Sequence, residues 1–234
     1  MRRLTLALVI GAELCAGASV KGSVELKDSS DAAVRKRKDF SGVVVWLEPV
    51  NGAAAAVPRR ARMVQKDKRF TPHVLPIVVG SAVDFPNFDP IFHSAFSNYN
   101  GQLFDVGLYA PGTSKSVRFA RPGIVRVFCN IHASMSAVIV VLDSPYFTTS
   151  AKTGDWEITG VPAGEYRVHV FHERATAATL TSLTQRITVD ADEATVPALA
   201  ISESGYLAIP HKNKFGQEYS APPDDKSVYP AVRK

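Results

Sequence analysis

The sequence predicts an all-β protein of sandwich or barrel type. Several runs of β-branched and aromatic residues are bounded by turn formers, as in "GVVVWLEP" at 42–49, "SAVIVVLDSP" at 136–145 and "EYRVHVFHE" at 165–173. The chain of 234 residues contains 15 glycines and 15 prolines, which suits a turn-rich β protein better than a helical bundle. Hydrophobic residues make up 46% and charged residues 21%, which is typical of a globular protein with a real core.

The N-terminus has the pattern of a secretory signal peptide, predicted over residues 1–18. Arg2 and Arg3 precede an apolar stretch at 4–12 that is too short to span a bilayer. Small residues at 16–18 predict cleavage after Ala18, so we expect a periplasmic or otherwise exported protein with no integral membrane span. The alternative is a lipoprotein anchored through Cys15.

Signal-peptide removal leaves Cys129, in "FCNIHASM", as the only cysteine of the mature chain. Cysteines of exported proteins usually form disulfides. A single cysteine therefore indicates an intermolecular disulfide, a reactive thiol or a metal ligand.

The residues that follow Cys129 favour a metal ligand. His132 and Met135 lie in the same short loop, and His93 in "VDFPNFDPIFHSAFS" offers a second imidazole at a strand end. Two histidines, one thiolate and a weak axial thioether are the ligand set of blue-copper sites. The alternatives are a buried cysteine beside a surface histidine and a core methionine, or a zinc site, for which methionine is a poor ligand.

These segments resemble the cupredoxins of the plastocyanin and amicyanin type. The resemblance covers about 63–142 and includes the "V-x-F-x-N-x-D-x-x-x-H" pattern that ends at His93 and the Cys-x2-His-x2-Met spacing. It implies a Greek-key β-sandwich at 63–143 that binds one type 1 copper through His93, Cys129, His132 and Met135. It also implies single-electron transport to or from a redox partner such as a dehydrogenase or a cytochrome.

Two features of the site follow from the same resemblance. Ser94 stands where plastocyanin-like proteins commonly have an asparagine that braces the ligand loop, and its hydroxyl or Asn130 is expected to take that role. His132 is the expected exposed ligand, and an apolar contact patch is expected around it at Pro90, Ile91, Phe92 and Ala133.

A second resemblance, at 146–173, is to the carboxypeptidase regulatory-like β-sandwich, which is related in shape to transthyretin (prealbumin). The segment "VPAGEYRV" follows a turn glycine, and 23–49 fits the first half of such a domain. We therefore predict a sandwich formed by 19–62 and 144–201, into which the copper domain at 63–143 is inserted. The alternative is that 19–57 adds strands to the copper domain. Proteins that combine these two domains are often labelled methylamine utilisation proteins.

The tail, the basic stretches and the other histidines give weaker indications of structure and function. Residues 202–234 form a polar, Pro-rich tail whose tyrosines and Phe215 could dock on the body. The basic stretches at 35–38 and 58–69 are solvated loops or a docking surface for an acidic partner. A helix of one or two turns is expected within 174–183. Surface or packing roles are expected for the other histidines, which are His73, His169, His172 and His211.

The sequence favours an electron carrier that is not an enzyme. The second predicted sandwich, at 19–62 and 144–201, shows no Ser-His-Asp order, phosphate loop or paired carboxylates. The six histidines of the chain are too few for a multicopper oxidase, and no pattern indicates nucleic-acid binding. The alternatives are a copper-handling or scaffold protein, and a structural adhesion or carbohydrate-binding sandwich in which the predicted copper ligands are incidental.

Overall fold

The computed structural model describes residues 17–98, 101–190, 192–208 and 210–219. The apolar part of the predicted signal peptide and Cys15 lie outside these residues, as does the end of the tail from residue 220. Ala18, the predicted last residue of the signal peptide, is the first residue of a strand. The all-β prediction is confirmed, and the five described sheets are open rather than closed into a barrel.

The elements follow one another in a simple order of strands with two short helices. In chain order they are β1 (Ala18–Lys27), α1 (Ala32–Arg37), β2 (Val44–Pro49), β3 (Arg60–Arg62), β4 (Val64–Lys66), β5 (Arg69–Thr71), β6 (Val74–Val78), β7 (Ala82–Pro86), β8 (His93–Ser97), β9 (Phe104–Tyr109), β10 (Ser114–Arg118), β11 (Gly123–Phe128), β12 (Ser136–Leu142), β13 (Phe147–Thr149), β14 (Asp155–Val161), β15 (Gly164–Phe171), α2 (Ala177–Ser182), β16 (Gln185–Val189), β17 (Glu193–Thr195) and β18 (Leu199–Ser202).

Strands from the two ends of the chain form one unit, here called the terminal sandwich. In its first sheet β1 pairs with β14, β17 and β18, and the second sheet has the order β13-β2-β15-β16. Apolar side chains from both sheets, including Val20, Leu47 and Val168, share one buried core. The early strands thus pair with the late strands across the intervening segment.

The intervening strands, β3 to β12, form the middle sandwich. Its larger sheet has the order β6-β12-β11-β8-β9, and a smaller sheet has the order β10-β7-β3. A separate core contains Phe85, Phe119 and Ile139. The boundary predicted after residue 62 falls inside this pairing, because β3 pairs with β7 and belongs with the middle sandwich.

Strand β12 connects the two units. Side chains alternate between the two faces of a strand. Ala137, Ile139 and Val141 enter the core of the middle sandwich. The intervening Val138, Val140 and Leu142 pack instead with Val44 and Phe171 of the terminal sandwich. A strand buried on both faces explains the unbroken apolar run in this part of the sequence.

The helices are short. Helix α2 lies where one was expected, whereas α1 was not predicted and contains most of the basic stretch at 35–38. Asp31 caps α1 by accepting a hydrogen bond from the backbone N–H of Ala33, and the basic side chains occupy its last turn, where they complement the helix dipole. Among the described residues, no helix is both long and apolar enough to cross a membrane.

Candidate metal centre

Two neighbouring strands position the first two donor residues. His93 is the first residue of β8, and Cys129 directly follows β11. These strands pair antiparallel through Phe96 and Phe128, which brings the start of the β8 segment and the end of β11 into proximity. The loop after Cys129 then returns into β12 within six residues.

Backbone hydrogen bonds close this ligand loop. The N–H of Cys129 donates to the carbonyl of Met135 at 3.1 Å, and the N–H of Met135 donates to the carbonyl of His132 at 3.1 Å. The loop is therefore tight, and it carries three of the four predicted ligands.

The structure brings the donor atoms of His93, Cys129 and His132 together. These atoms all lie within 4.8 Å of one another, and no other comparable group occurs in the described part of the chain. The Cys129 sulfur lies 3.4 Å from Nδ1 of His132 and 3.9 Å from Nδ1 of His93. His93 and Cys129 are fully buried, whereas His132 is half-buried, so His132 is the accessible member of the group, as expected.

Met135 is fully buried in the same core as Cys129. Its place in the closed loop agrees with the sequence spacing, and its role as fourth ligand remains a prediction. Two imidazole nitrogens and one thiolate sulfur, with the predicted thioether of Met135, are donors that suit copper by their softness. The residues of this site therefore fit the copper ion that the sequence resemblance implies.

The surroundings of Cys129 favour its thiolate form. Burial opposes ionisation, but hydrogen bonding with His132, His93 and nearby backbone groups lowers the pKa of Cys129 from 9.0 to about 5. The thiolate is the form of cysteine that binds metals.

Ser94 braces the ligand loop, as its position predicts. Its hydroxyl oxygen accepts a hydrogen bond from the backbone N–H of Asn130 at 2.7 Å, and the hydroxyl donates towards the Cys129 sulfur at 3.7 Å. The side chain of Asn130 has another role, because its carbonyl oxygen accepts from the backbone N–H of Lys214.

Sequence reasoning missed Asp89, which lies four residues before His93. One carboxylate oxygen of Asp89 lies 2.7 Å from Nε2 of His93, the nitrogen that faces away from Cys129. Burial opposes ionisation of Asp89, but hydrogen bonds from the backbone of Lys68, from His93 and from the backbone of Asp67 hold its pKa below the usual value. The aspartate was visible in the motif that ends at His93, but the motif carried no signal that its side chain would contact the histidine.

The tail also reaches the site, through the segment 210–219, here called the C-terminal strap. The imidazole of His211 stacks on Phe128, and the hydroxyl of Tyr219 donates to the carbonyl oxygen of Cys129 at 2.8 Å. The ammonium group of Lys214 binds the Asp105 carboxylate at 2.7 Å. Docking of the tail was expected, but Tyr219 rather than Phe215 makes the contact, since Phe215 is 70% exposed.

The remaining histidines lie outside the donor group. His73 binds Glu173, His169 binds Glu48, and His172 binds Glu203. His169 and His172 have different partners, in agreement with the opposite strand faces that their spacing predicts. Near the candidate site, Pro90 and Ala133 are exposed and the other two residues of the predicted contact patch, Ile91 and Phe92, are half-buried.

Comparisons with known proteins add a partial likeness. No protein-family model and no curated protein matches the chain. Among solved structures, it is similar to the copper-containing nitrite reductase of Thermus scotoductus, with 29% identity over 41% of this chain and 25% of that one, at a TM-score of 0.35.

Smaller copper proteins are covered more completely. A purple cupredoxin from Nitrosopumilus maritimus is 23% identical over 35% of this chain and 99% of its own, at a TM-score of 0.32. Amicyanin from Paracoccus versutus is 16% identical over 41% of this chain and 91% of its own, at a TM-score of 0.33. These likenesses involve less than half of the present chain.

Proposed function

We propose that the protein is an exported type 1 copper protein of the cupredoxin class that carries single electrons and catalyses no reaction. The observation that carries this proposal is the mutual approach of the His93 Nδ1, Cys129 Sγ and His132 Nδ1 atoms, with two of the three residues fully buried. His93, Cys129 and His132 would hold one copper ion, with Met135 as the axial ligand. Bound copper would supply a one-electron couple between its cuprous and cupric forms.

The chain's own residues prepare the site for this role. The buried core excludes water from Cys129, and the neighbouring imidazoles favour its thiolate. Ser94 ties the residue after Cys129 to β8, so the ligand loop is held to the sheet that carries His93. Donors held in place by the fold need little rearrangement when an electron arrives or leaves.

Access for a redox partner would be through His132. This imidazole is half-buried, and the exposed Pro90 and Ala133 belong to the predicted apolar contact patch. We propose that a partner protein, such as a dehydrogenase or a cytochrome, docks on this end of the middle sandwich. The terminal sandwich would serve as a structural or partner-binding unit.

The test is the absorption and electron paramagnetic resonance spectrum of the copper-loaded mature protein. We expect an intense thiolate-to-copper band in the visible region and a narrow copper hyperfine splitting. The variant Cys129→Ser should lose both signals. Ser144→Ala, which alters a buried residue that hydrogen-bonds the Leu47 carbonyl oxygen in the terminal sandwich, should keep both and serves as the control.

Copper handling is the second candidate, and the half-buried His132 favours it by leaving one donor open to exchange. A colourless cuprous site that exchanges its metal readily would establish this candidate instead of electron transfer. A protein that binds no copper at all would contradict both, and would favour a structural adhesion or carbohydrate-binding role.

A further inference from the structure

Asp89 is a buried carboxylate that the ligand set does not include. Its residue is 7% exposed, and its Oδ2 atom lies 2.7 Å from the His93 Nε2 atom. The imidazole of His93 therefore has one nitrogen facing the Cys129 sulfur and the other facing a carboxylate.

The same carboxylate binds the tip of the β4–β5 hairpin. The backbone N–H of Asp67 donates to Oδ1 at 2.7 Å, and that of Lys68 donates to Oδ2 at 2.9 Å. Both hairpin residues have a positive φ, of 54° and 53°, which directs the two N–H groups of this tight turn towards the carboxylate. Asp89 thus joins a surface hairpin to a residue of the candidate metal centre.

This arrangement determines which nitrogen of His93 carries the proton. A backbone N–H can only donate, so both carboxylate oxygens of Asp89 act as acceptors. Nε2 of His93 must then be the donor to Oδ2. In the neutral imidazole this leaves the lone pair on Nδ1, the atom that faces Cys129.

We propose that Asp89 is the positioning residue of the His93 ligand. It holds the imidazole in its Nε2–H tautomer and in the orientation that presents Nδ1 to the metal. The part that concerns copper rests on the proposed function, whereas the part that concerns the tautomer does not. The competing explanation is that Asp89 only stabilises the hairpin turn, in which case the tautomer of His93 would not depend on it.

Two substitutions separate hydrogen bonding from charge. Asp89→Asn keeps one oxygen that can accept from Nε2 of His93 but removes the negative charge, whereas Asp89→Ala removes both. Asp84→Asn is the matched control, because Asp84 is an aspartate of the same sandwich that binds Arg60. It removes the same charge without removing the hydrogen bond to His93.

The first measurement is the histidine nitrogen NMR spectrum of the metal-free protein. We expect the Nε2–H tautomer for His93 in the wild type, in Asp89→Asn and in Asp84→Asn, and a mixture of tautomers in Asp89→Ala. The second measurement is copper affinity. Loss of such an outer partner typically lowers metal affinity about 10–100-fold, so we expect a decrease of this size for Asp89→Ala, a smaller one for Asp89→Asn and none for Asp84→Asn.

The inference is overturned if wild-type His93 is in the Nδ1–H tautomer, or if Asp89→Ala leaves both tautomer and affinity unchanged. If Asp89→Ala does not fold, the wild-type spectrum and the copper affinity of Asp89→Asn still test the inference. An Nδ1–H tautomer in the wild type, or an unchanged affinity in Asp89→Asn, would then overturn it. A protein that binds no copper but shows the expected tautomers would contradict the proposed function and leave the assignment of Asp89 intact.

Discussion

The imidazole of His211 stacks on the ring of Phe128, with centroids 4.1 Å apart and an interplanar angle of 25°. Phe128 directly precedes Cys129, and the hydroxyl of Tyr219 donates to the Cys129 carbonyl oxygen and lies 3.1 Å from Nδ1 of His211. The C-terminal strap is therefore a structural part of the candidate metal centre, although Tyr219 lies 90 residues from Cys129 along the chain.

Removing the contacts of the strap should destabilise the metal-free protein. An aromatic pair contributes about 0.5–1.5 kcal/mol beyond the area that it buries, and a hydrogen bond contributes a net 0.5–1.5 kcal/mol or so. We expect His211→Ala and Tyr219→Phe each to lower the free energy of unfolding by about 1 kcal/mol, measured by urea denaturation. Phe215→Ala, in the same segment but largely exposed, should have little effect. Equal effects of all three substitutions would contradict a specific role for the strap.

Ser94→Ala should weaken the brace of the ligand loop. The substitution leaves the partly buried N–H of Asn130 without its acceptor, which costs about 1 kcal/mol. It also removes the hydroxyl that faces the Cys129 sulfur, so the thiolate-to-copper band should shift. The matched control is Ser97→Ala on the same strand, because the Ser97 hydroxyl is buried with no hydrogen-bond partner among the described residues. We expect Ser97→Ala to leave the free energy of unfolding unchanged or to raise it. A larger loss of stability in Ser97→Ala than in Ser94→Ala would show that Ser94 does not brace the ligand loop.

The contact between His73 and Glu173 should make stability depend on pH. The hydrogen bond to Glu173 raises the pKa of His73 above 6.5, against the opposing effect of burial. A raised folded-state pKa contributes stability that is complete below pH 6.5 and is lost as the pH rises through the folded-state value. His73 is 47% exposed, so we expect this loss to be less than about 1 kcal/mol.

This dependence can be measured by urea denaturation at a series of pH values. His73→Gln should lack the decrease in stability that the wild type shows above pH 6.5 or so. Glu173→Gln should lack it as well, because without the carboxylate the main cause of the raised pKa is gone. A wild-type pH profile in both variants would show that this contact does not contribute.

Met135→Leu should keep copper and raise the reduction potential, because loss of a thioether donor favours the cuprous form. A volume-conserving substitution of this kind usually costs less than about 1.5 kcal/mol in a core. Met63→Leu is the matched control, since Met63 is fully buried in the same core. The potential can be measured by redox titration of the visible band. An unchanged potential and spectrum in Met135→Leu would mean that Met135 is not a ligand.

The sequence predicted the strands well because they depend on local patterns, and the predicted donor residues, which stay a prediction, come from local patterns of the same kind. The apolar run of β12 and the Cys-x2-His-x2-Met spacing are each contained within a few residues. His93 could be added to the predicted ligands because it ends the V-x-F-x-N-x-D-x-x-x-H pattern, which is also local. Early strands pair with late ones in the terminal sandwich, and β3 pairs with β7 of the middle sandwich, while the insertion of one domain into another stays a prediction. Helix α1 was missed because its basic residues favour a loop as readily as a short helix.

The sequence by itself determined the all-β class and supplied the residue pattern from which the ligands are predicted. Only the tertiary structure decided what surrounds them: the choice of Ser94 over Asn130 as the brace, the contact of Asp89 with His93 and the contact of Tyr219 with Cys129. The physical reason is that each of these contacts depends on where side chains point after distant strands have packed. Tyr219 and Cys129 are 90 residues apart, and no local period relates them.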